Sequence, residues 1–201
     1  MNWCGIKRVE GPSRLRVLIP WLWNSMKRGP AHRRGHSWNF IWNSKALPKV
    51  ALFAWKSVCE ALPTSENLKR LGVPVSNGCV SCSGDSEDIL HVLFFCSFAC
   101  LLWAVSGLPW GVLCCSTANV EWWFRRVHNE LSRVEWKFFL SICWALWGAH
   151  NKKFFEGKHS EAHEIVRLAR RVSGETRDVL VLEGVVLFMF FCVAFNFSAF
   201  M

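Results

Sequence analysis

The sequence has no tyrosine and only three aspartates, at positions 85, 88 and 178. Two-metal phosphoryl chemistry requires several carboxylates that converge on one site, and the chain has no Asp-Asp pair or comparable acidic set. It also lacks a phosphate-binding glycine loop and a Gly-x-Ser-x-Gly nucleophile motif. The sequence therefore predicts a protein that is not an enzyme.

Positive charge is missing from the middle of the chain. Residues 71–124 contain no lysine or arginine, while Asp85, Glu87 and Asp88 cluster there. Proteins bind nucleic-acid backbones through cations that release condensed counterions. This stretch is therefore not expected to contact nucleic acid.

The positive charge lies instead in a basic arm, residues 1–37, which carries eight Lys or Arg against one Glu. We predict that this arm is disordered, and it is the candidate nucleic-acid contact, with Trp21, Trp23 and Trp38 as stacking partners. A solvated leader without a partner is the alternative. The rest of the chain has 16 basic and 14 acidic residues and is nearly neutral.

The start of the chain shows no cleavable signal sequence, because the apolar run at residues 17–23 is short and is broken by Pro20. An intracellular location, nuclear or cytoplasmic, is therefore expected. In a reducing compartment the ten cysteines are interpreted as metal ligands or buried thiols rather than disulfides.

Four of the metal-binding residue types follow the spacing C-x2-C-x8-H-x4-C, at Cys79, Cys82, His91 and Cys96. Three thiolates and one imidazole are a donor set that tetrahedral Zn²⁺ takes, and four protein ligands leave no open position for a substrate. The pattern predicts a structural zinc site. Buried free thiols with a capped histidine are the alternative interpretation.

The residues around these donors support a compact knuckle. Turn-forming residues flank the first cysteine pair, so backbone amides are expected to point at the sulfurs. Ser86 is predicted to cap a helix that carries His91. Cys96 lies too far round an ideal helix to face the same point as His91, so the helix should end or loosen between them, and Cys100 competes as fourth ligand.

Longer motifs surround the four donors. They read W-x-x-x-x-x-P-K-x-x-x-F-x-W from Trp42 to Trp55, then L-P-T-x-x-x-L from Leu62, then the cysteine pair and E-x-x-x-H-x4-C from Glu87. The matching positions are Pro48, Lys49, Phe53, Trp55, Pro63, Thr64, Leu68, Cys79, Cys82, Glu87, His91 and Cys96. This set resembles the zinc-binding domain found downstream of reverse transcriptase in plant non-LTR (LINE-type) retrotransposons.

The resemblance continues beyond the donors. Residues 145–154 are similar to a W-x-x-R-N-x-x-x-F segment that follows the domain in that family, with His150 where arginine is usual. The resemblance implies a non-catalytic zinc-binding module that helps to position nucleic acid or a protein partner, whose identity is unknown. We expect a truncated relative that lacks the reverse transcriptase and ribonuclease H domains.

The apolar periodicity predicts a mainly α fold, with a small helical domain around the zinc knuckle and further helices after it. Helices are predicted over residues 45–60, from Thr64 to Leu71, over 98–105, from Val120 to Leu131, over 132–155 and over 160–173. The residues predicted to face inward are Val50, Phe53, Ala54, Trp55, Ser57, Val58, Leu68, Leu71, Val120, Trp123, Phe124, Val127, Leu131, Phe138, Phe139, Ile142, Cys143, Leu146, Trp147, Ile165, Leu168, Ala169 and Val172. We divide the chain into the arm 1–37, a zinc-binding domain 38–110, a helical extension 111–178 and an apolar tail 179–201.

The tail is the least explained part of the sequence. Residues 184–201 carry no charge and approach the roughly 20 residues that cross a bilayer. Basic residues before the tail would keep the body cytoplasmic, which gives an alternative function, a tail-anchored membrane protein with a zinc-stabilised helical domain. A buried helix and an evolutionary remnant are the other interpretations.

Overall fold

The structure, a computed structural model, describes residues 38–75, 78–82, 84, 86–109 and 119–174. Within these ranges the chain is mainly helical and has no strand, which confirms the predicted fold class. The helices are α1 (Asn39–Trp42), α2 (Pro48–Val58), α3 (Ser65–Arg70), a π-helical turn (His91–Phe95), α4 (Ser97–Ser106), α5 (Val120–Glu130), α6 (Arg133–Glu156) and α7 (Ala162–Ser173). The predictions for the arm 1–37 and the tail 179–201 lie outside the described residues.

Helix α2 begins at Pro48, where proline is tolerated because the first helical N–H has no partner within the helix. Its predicted inner face, with Val50, Phe53 and Ala54, is buried. Trp55 was predicted to join the core but is only half-buried. Its ring lies near the exposed Trp42 instead, with ring centroids 6.5 Å apart, so the two tryptophans shield each other at the surface.

Thr64 caps helix α3, since its hydroxyl accepts a hydrogen bond from the backbone N–H of Asn67 at 3.3 Å. The prediction that Leu68 and Leu71 face inward was wrong, because both are half-buried. The buried residues of this helix are polar, Ser65 and Asn67. The Asn67 amide donates to the carbonyls of Glu60 and Leu62 at 2.9 and 2.8 Å, so hydrogen bonds rather than apolar contacts hold α3 in place.

Helix α6 is the longest element, and local signals set both of its ends. Ser132 and Glu135 form a capping box at its start, and Gly157, with φ of 66°, ends it. The predicted inner residues Phe138, Phe139, Ile142, Cys143 and Leu146 are buried, while Trp147 is half-buried.

The predicted stripe on α5 is buried throughout, including Leu131 just after the helix. On α7 the prediction was partly wrong. Leu168 is 36% exposed and Val172 half-buried, whereas Val166 is buried at 1% exposure. Helix α7 packs on both α6 and α4, and the pattern within α7 does not indicate the second partner.

Aromatic rings fill the centre of the core. Phe139 stacks between Trp103 and Trp136, with centroid distances of 5.2 and 5.4 Å, and meets Trp123 and Phe124 edge-on. These rings come from α4, α5 and α6, so one core joins the segments before and after residues 110–118. The indole N–H of Trp136 also donates to the Phe40 carbonyl at 2.9 Å.

None of the helices in the described ranges is long and apolar enough to cross a membrane. Residues 184–201, on which the membrane-anchor prediction rests, are not among them.

Candidate metal centre

The first cysteine pair lies in a tight turn before the π-helical segment. The backbone N–H of Cys79 donates to the Gly84 carbonyl at 2.8 Å. The N–H of Ser81 donates to the Cys79 sulfur and the N–H of Gly84 to the Cys82 sulfur, each at 3.4 Å. The prediction that backbone amides point at the sulfurs is confirmed. Such amides stabilise thiolate charge.

Two glycines allow the turn to close. Gly78 has φ of 93°, and a Cβ there would lie 2.8 Å from the Gly84 carbonyl oxygen. A Cβ on Gly84 would lie 3.3 Å from both the Cys82 sulfur and the His91 ring. A side chain at Gly78 would therefore collide with the Gly84 carbonyl and hold a strained φ, and one at Gly84 would press on the Cys82 sulfur and the His91 ring.

The helix that carries His91 begins at residue 89. Its cap is Asp88, whose carboxylate accepts from the His91 N–H at 2.6 Å. The prediction that Ser86 caps this helix was wrong. Asp88 lies closer to the first free N–H groups, because the helix starts later than the sequence suggested.

The predicted loosening between His91 and Cys96 is confirmed. Residues His91–Phe95 form a π-helical turn, and the Cys96 N–H donates to the His91 carbonyl at 2.7 Å, an i to i−5 hydrogen bond. Cys96 then leaves the helix with an extended backbone and immediately precedes α4. The wider turn brings the histidine ring and the Cys96 sulfur to one side.

The four predicted donors converge. The side-chain ligand atoms of Cys79, Cys82, His91 and Cys96 all lie within 4.8 Å of one another. The Cys79 and Cys96 sulfurs are 3.9 Å apart, and the Cys82 sulfur is 3.2 Å from His91 Nε2. Bonds of ~2.3 Å to sulfur and ~2.0 Å to nitrogen put the corners of a zinc tetrahedron roughly 3.5–3.8 Å apart. The spacing therefore fits Zn²⁺.

The protonation of these donors is coupled. The pKa of Cys79 is lowered to about 3, mainly because the Cys96 thiol donates a hydrogen bond to its sulfur. The pKa of Cys96 is raised, because that thiol keeps its proton beside the Cys79 thiolate. The pKa of His91 is also raised, chiefly by a hydrogen bond to Cys79. The proton on Cys96 and the raised pKa of His91 both follow from the Cys79 thiolate at the centre of the group.

The other cysteines of the described residues are outside this group. Cys100, the competing fourth ligand, donates its thiol to the Phe94 carbonyl at 3.4 Å. Burial raises the pKa of Cys59 to about 11 and raises the pKa of Cys143 as well. Those two thiols therefore stay protonated at neutral pH and behave as small apolar residues.

The contact between Glu87 and His150, next to the donors, was not predicted from the sequence. Glu87 was interpreted only as one of three clustered acids and as a motif position, yet it is 3% exposed, and its Oε2 lies 3.3 Å from Nε2 of the buried His150 on α6. A carboxylate oxygen of Glu87, a ring nitrogen of His150 and the Cys79 sulfur lie within 4.8 Å of one another. Both residues stand in the motifs described above, which was the available signal, but no local pattern places them side by side.

The fold and donor set define a helical, potentially metal-binding module with a Cys3His centre. Residues 20–103 match a family model described as zinc-binding in reverse transcriptase. The matched segment contains all four donors and ends within α4, before α5, α6 and α7. No curated protein and no solved structure matches the chain.

Proposed function

We propose that Cys79, Cys82, His91 and Cys96 bind one Zn²⁺ and that the ion's role is structural. The convergence of these four side chains carries the proposal. Two of the donors, Cys79 and Cys96, are buried at 2% exposure, and a complete set of four protein ligands leaves no position for a substrate. Zinc bound here would contribute folding free energy and hold the turn on the helical core.

We further propose that the module is a non-catalytic part of a protein derived from a plant LINE-type retrotransposon. The family match at residues 20–103 and the motifs around the donors support this. The small number of aspartates and the absence of a polymerase-type acidic pair in the sequence support a role without catalysis. Its contribution would be to position nucleic acid or a protein partner.

Metal content tests the zinc proposal. Elemental analysis of the purified full chain is expected to give one zinc per chain, and Cys79→Ser, His91→Ala and Cys96→Ser are each expected to lose it. Cys100→Ser is the matched control and should retain the metal, since its thiol lies outside the donor group. A folded wild-type chain without zinc would contradict the proposal.

Binding to a single-stranded oligonucleotide tests the nucleic-acid role. The basic arm carries eight of the chain's 24 Lys and Arg residues, so affinity is expected to fall steeply with salt. Deletion of residues 1–37 is expected to abolish binding. Absent or salt-independent binding by the full chain would remove this role.

The charge-free run at residues 184–201 favours a second candidate function, that of a tail-anchored membrane protein. Extraction of membranes from cells that express the tagged chain, with and without residues 184–201, tests it. An anchor would keep the full chain in the membrane fraction through salt and alkaline washes and release the truncated chain. A full chain that remains in the supernatant would exclude the anchor.

A further inference from the structure

The inference concerns the buried pair formed by Glu87 and His150. Glu87 belongs to the loop between the cysteine turn and the π-helical segment, and His150 lies on α6, outside the matched residues 20–103. Their side chains are each only 4% exposed. Burying such polar groups costs free energy unless they are paired. The burial of Glu87 and His150 therefore indicates a role for the pair other than helix formation.

The two carboxylate oxygens of Glu87 have different partners. Oε1 accepts from the backbone N–H and the hydroxyl of Ser65 at 3.2 and 3.1 Å, while the Glu87 carbonyl accepts from the Glu66 N–H at 3.2 Å. Oε2 faces His150 Nε2 at 3.3 Å without the alignment of a full hydrogen bond. Glu87 therefore connects the start of α3 to α6.

The same pair adjoins the metal-site donors. The Glu87 carboxylate, the His150 ring nitrogen and the Cys79 sulfur form a compact group within 4.8 Å. The imidazole of His150 is held in place from its other side by stacking on Trp147, with centroids 5.6 Å apart and planes at 19°. The stacked imidazole thus lies next to the carboxylate and the sulfur.

We infer that His150 is a positioning residue of the metal centre. It does not bind the metal itself but orients Glu87, which lies beside the donor Cys79. His150 holds the Glu87 carboxylate, Glu87 fixes the loop that follows the cysteine turn, and Cys79 is thereby kept at the corner of the donor tetrahedron. Residues behind the ligands of metal sites commonly orient the ligands and tune metal affinity. The inference rests on the proposed zinc site and adds to it a required residue from a helix beyond the matched segment.

The test compares zinc affinity among variants of the full chain, measured by competition with a chelating dye. His150→Ala and Glu87→Gln are expected to weaken zinc binding ~10–100-fold, the range typical of residues that support metal ligands, while the stoichiometry stays at one zinc per chain. His150→Arg, which supplies the residue usual at this position in the family it resembles, is expected to recover most of the affinity. Val166→Ala, a buried truncation on α7, is the control for general destabilisation and should leave zinc affinity within about threefold of wild type.

A spectroscopic measurement separates positioning from stability. In Co²⁺-substituted protein the sulfur-to-metal charge-transfer band reports on the thiolates, so His150→Ala is expected to shift this band and Val166→Ala is not. Should His150→Ala prove insoluble, His150→Gln gives the same comparison. Unchanged zinc affinity and an unchanged cobalt spectrum in the His150 variants would overturn the inference.

Two further outcomes identify which proposal fails. Two zinc ions in the wild-type chain, reduced to one by His150→Ala, would make His150 a ligand and overturn the positioning role while keeping the Cys3His site. No zinc in the wild-type chain would overturn the zinc proposal and this inference together.

Discussion

In the knuckle, residues 78–96, the contacts between the four donors join sulfur and nitrogen atoms, whereas in the helical body, residues 119–174, the close contacts join aromatic rings. The Cys79 and Cys96 sulfurs are 3.9 Å apart, a distance that a bound ion would fix. Phe139 and Trp136 are parallel within 14°, a contact that needs no ion. Both regions contribute to one core, but only the donor contacts of the knuckle would depend on an ion. A change in metal content should therefore affect the stability of the knuckle more than that of the helical body.

Metal removal should give the largest difference. A structural zinc contributes on the order of 10 kcal/mol of folding free energy in small zinc domains, whereas the body keeps its own aromatic contacts. After treatment of the full chain with a chelator, backbone amides of residues 78–96 are expected to exchange with solvent within seconds, while those of Phe138–Leu146 stay protected. Hydrogen exchange read by mass spectrometry measures this difference. Unchanged protection at residues 78–96 would show that the knuckle holds without metal.

Truncation of the aromatic core should destabilise the helical body and leave the metal content unchanged. Phe139 is fully buried against four other rings, so Phe139→Ala is expected to lower the free energy of unfolding by about 3–5 kcal/mol. Urea unfolding at saturating zinc measures the loss, and the metal content of the folded fraction should remain that of wild type. Phe154→Ala, at a position 40% exposed, is the control and should cost much less. Equal losses in the two variants would contradict the packing described for α6.

Alanine is expected to be unfavourable at Gly84, where it weakens zinc binding, and favourable at Gly148, where it stabilises the fold. A methyl group on Gly84 would press on the Cys82 sulfur and the His91 ring at 3.3 Å, whereas one on Gly148 meets nothing within 4 Å. Gly84→Ala is expected to weaken zinc binding several-fold. Gly148→Ala, on an exposed face of α6, is expected to raise the free energy of unfolding by about 1 kcal/mol through helix propensity. Zinc titration and urea unfolding measure the two effects, and a neutral Gly84→Ala would contradict the geometry of the turn.

Loss of a helix cap should give the smallest effect. The Ser132 hydroxyl accepts from the Glu135 N–H at 3.3 Å, and the Glu135 carboxylate accepts from the Ser132 N–H at 2.9 Å. Ser132→Ala is expected to lower the free energy of unfolding by ~1 kcal/mol and to leave zinc affinity unchanged. Ser97→Ala, at an exposed helix start with no side-chain cap, is the comparison and should be close to neutral in thermal unfolding. A loss of zinc in Ser132→Ala would show that the two regions are more tightly coupled than the contacts suggest.

Local features could be predicted from the sequence because their causes are local. Thr64 and Ser132 cap helices where a hydroxyl precedes a helical pattern, and Gly107 and Gly157 end helices in the left-handed conformation. The spacing of the four donors predicted their convergence, and helix geometry predicted that the helix ends or loosens between His91 and Cys96.

Features set by distant contacts could not be predicted in this way. Leu168 is exposed and Val166 buried because α7 packs on two helices at once, and no pattern within α7 specifies that second partner. The pairing of Glu87 with His150 likewise joins two segments that only the folded chain brings together. Asp88 rather than Ser86 caps its helix because the helix starts only at residue 89.

Because of the π-helical turn, the number of residues between His91 and Cys96 determines whether their side chains face the same point. An α-helix turns by about 100° per residue, so deletion of one residue from 92–95 would restore an ordinary α-helical hydrogen bond and yet rotate the Cys96 sulfur away from His91. The backbone would become more regular while the donor set came apart. In this segment the irregular turn is the conformation that brings the four donors together, and a change that makes the helix more ideal would separate them.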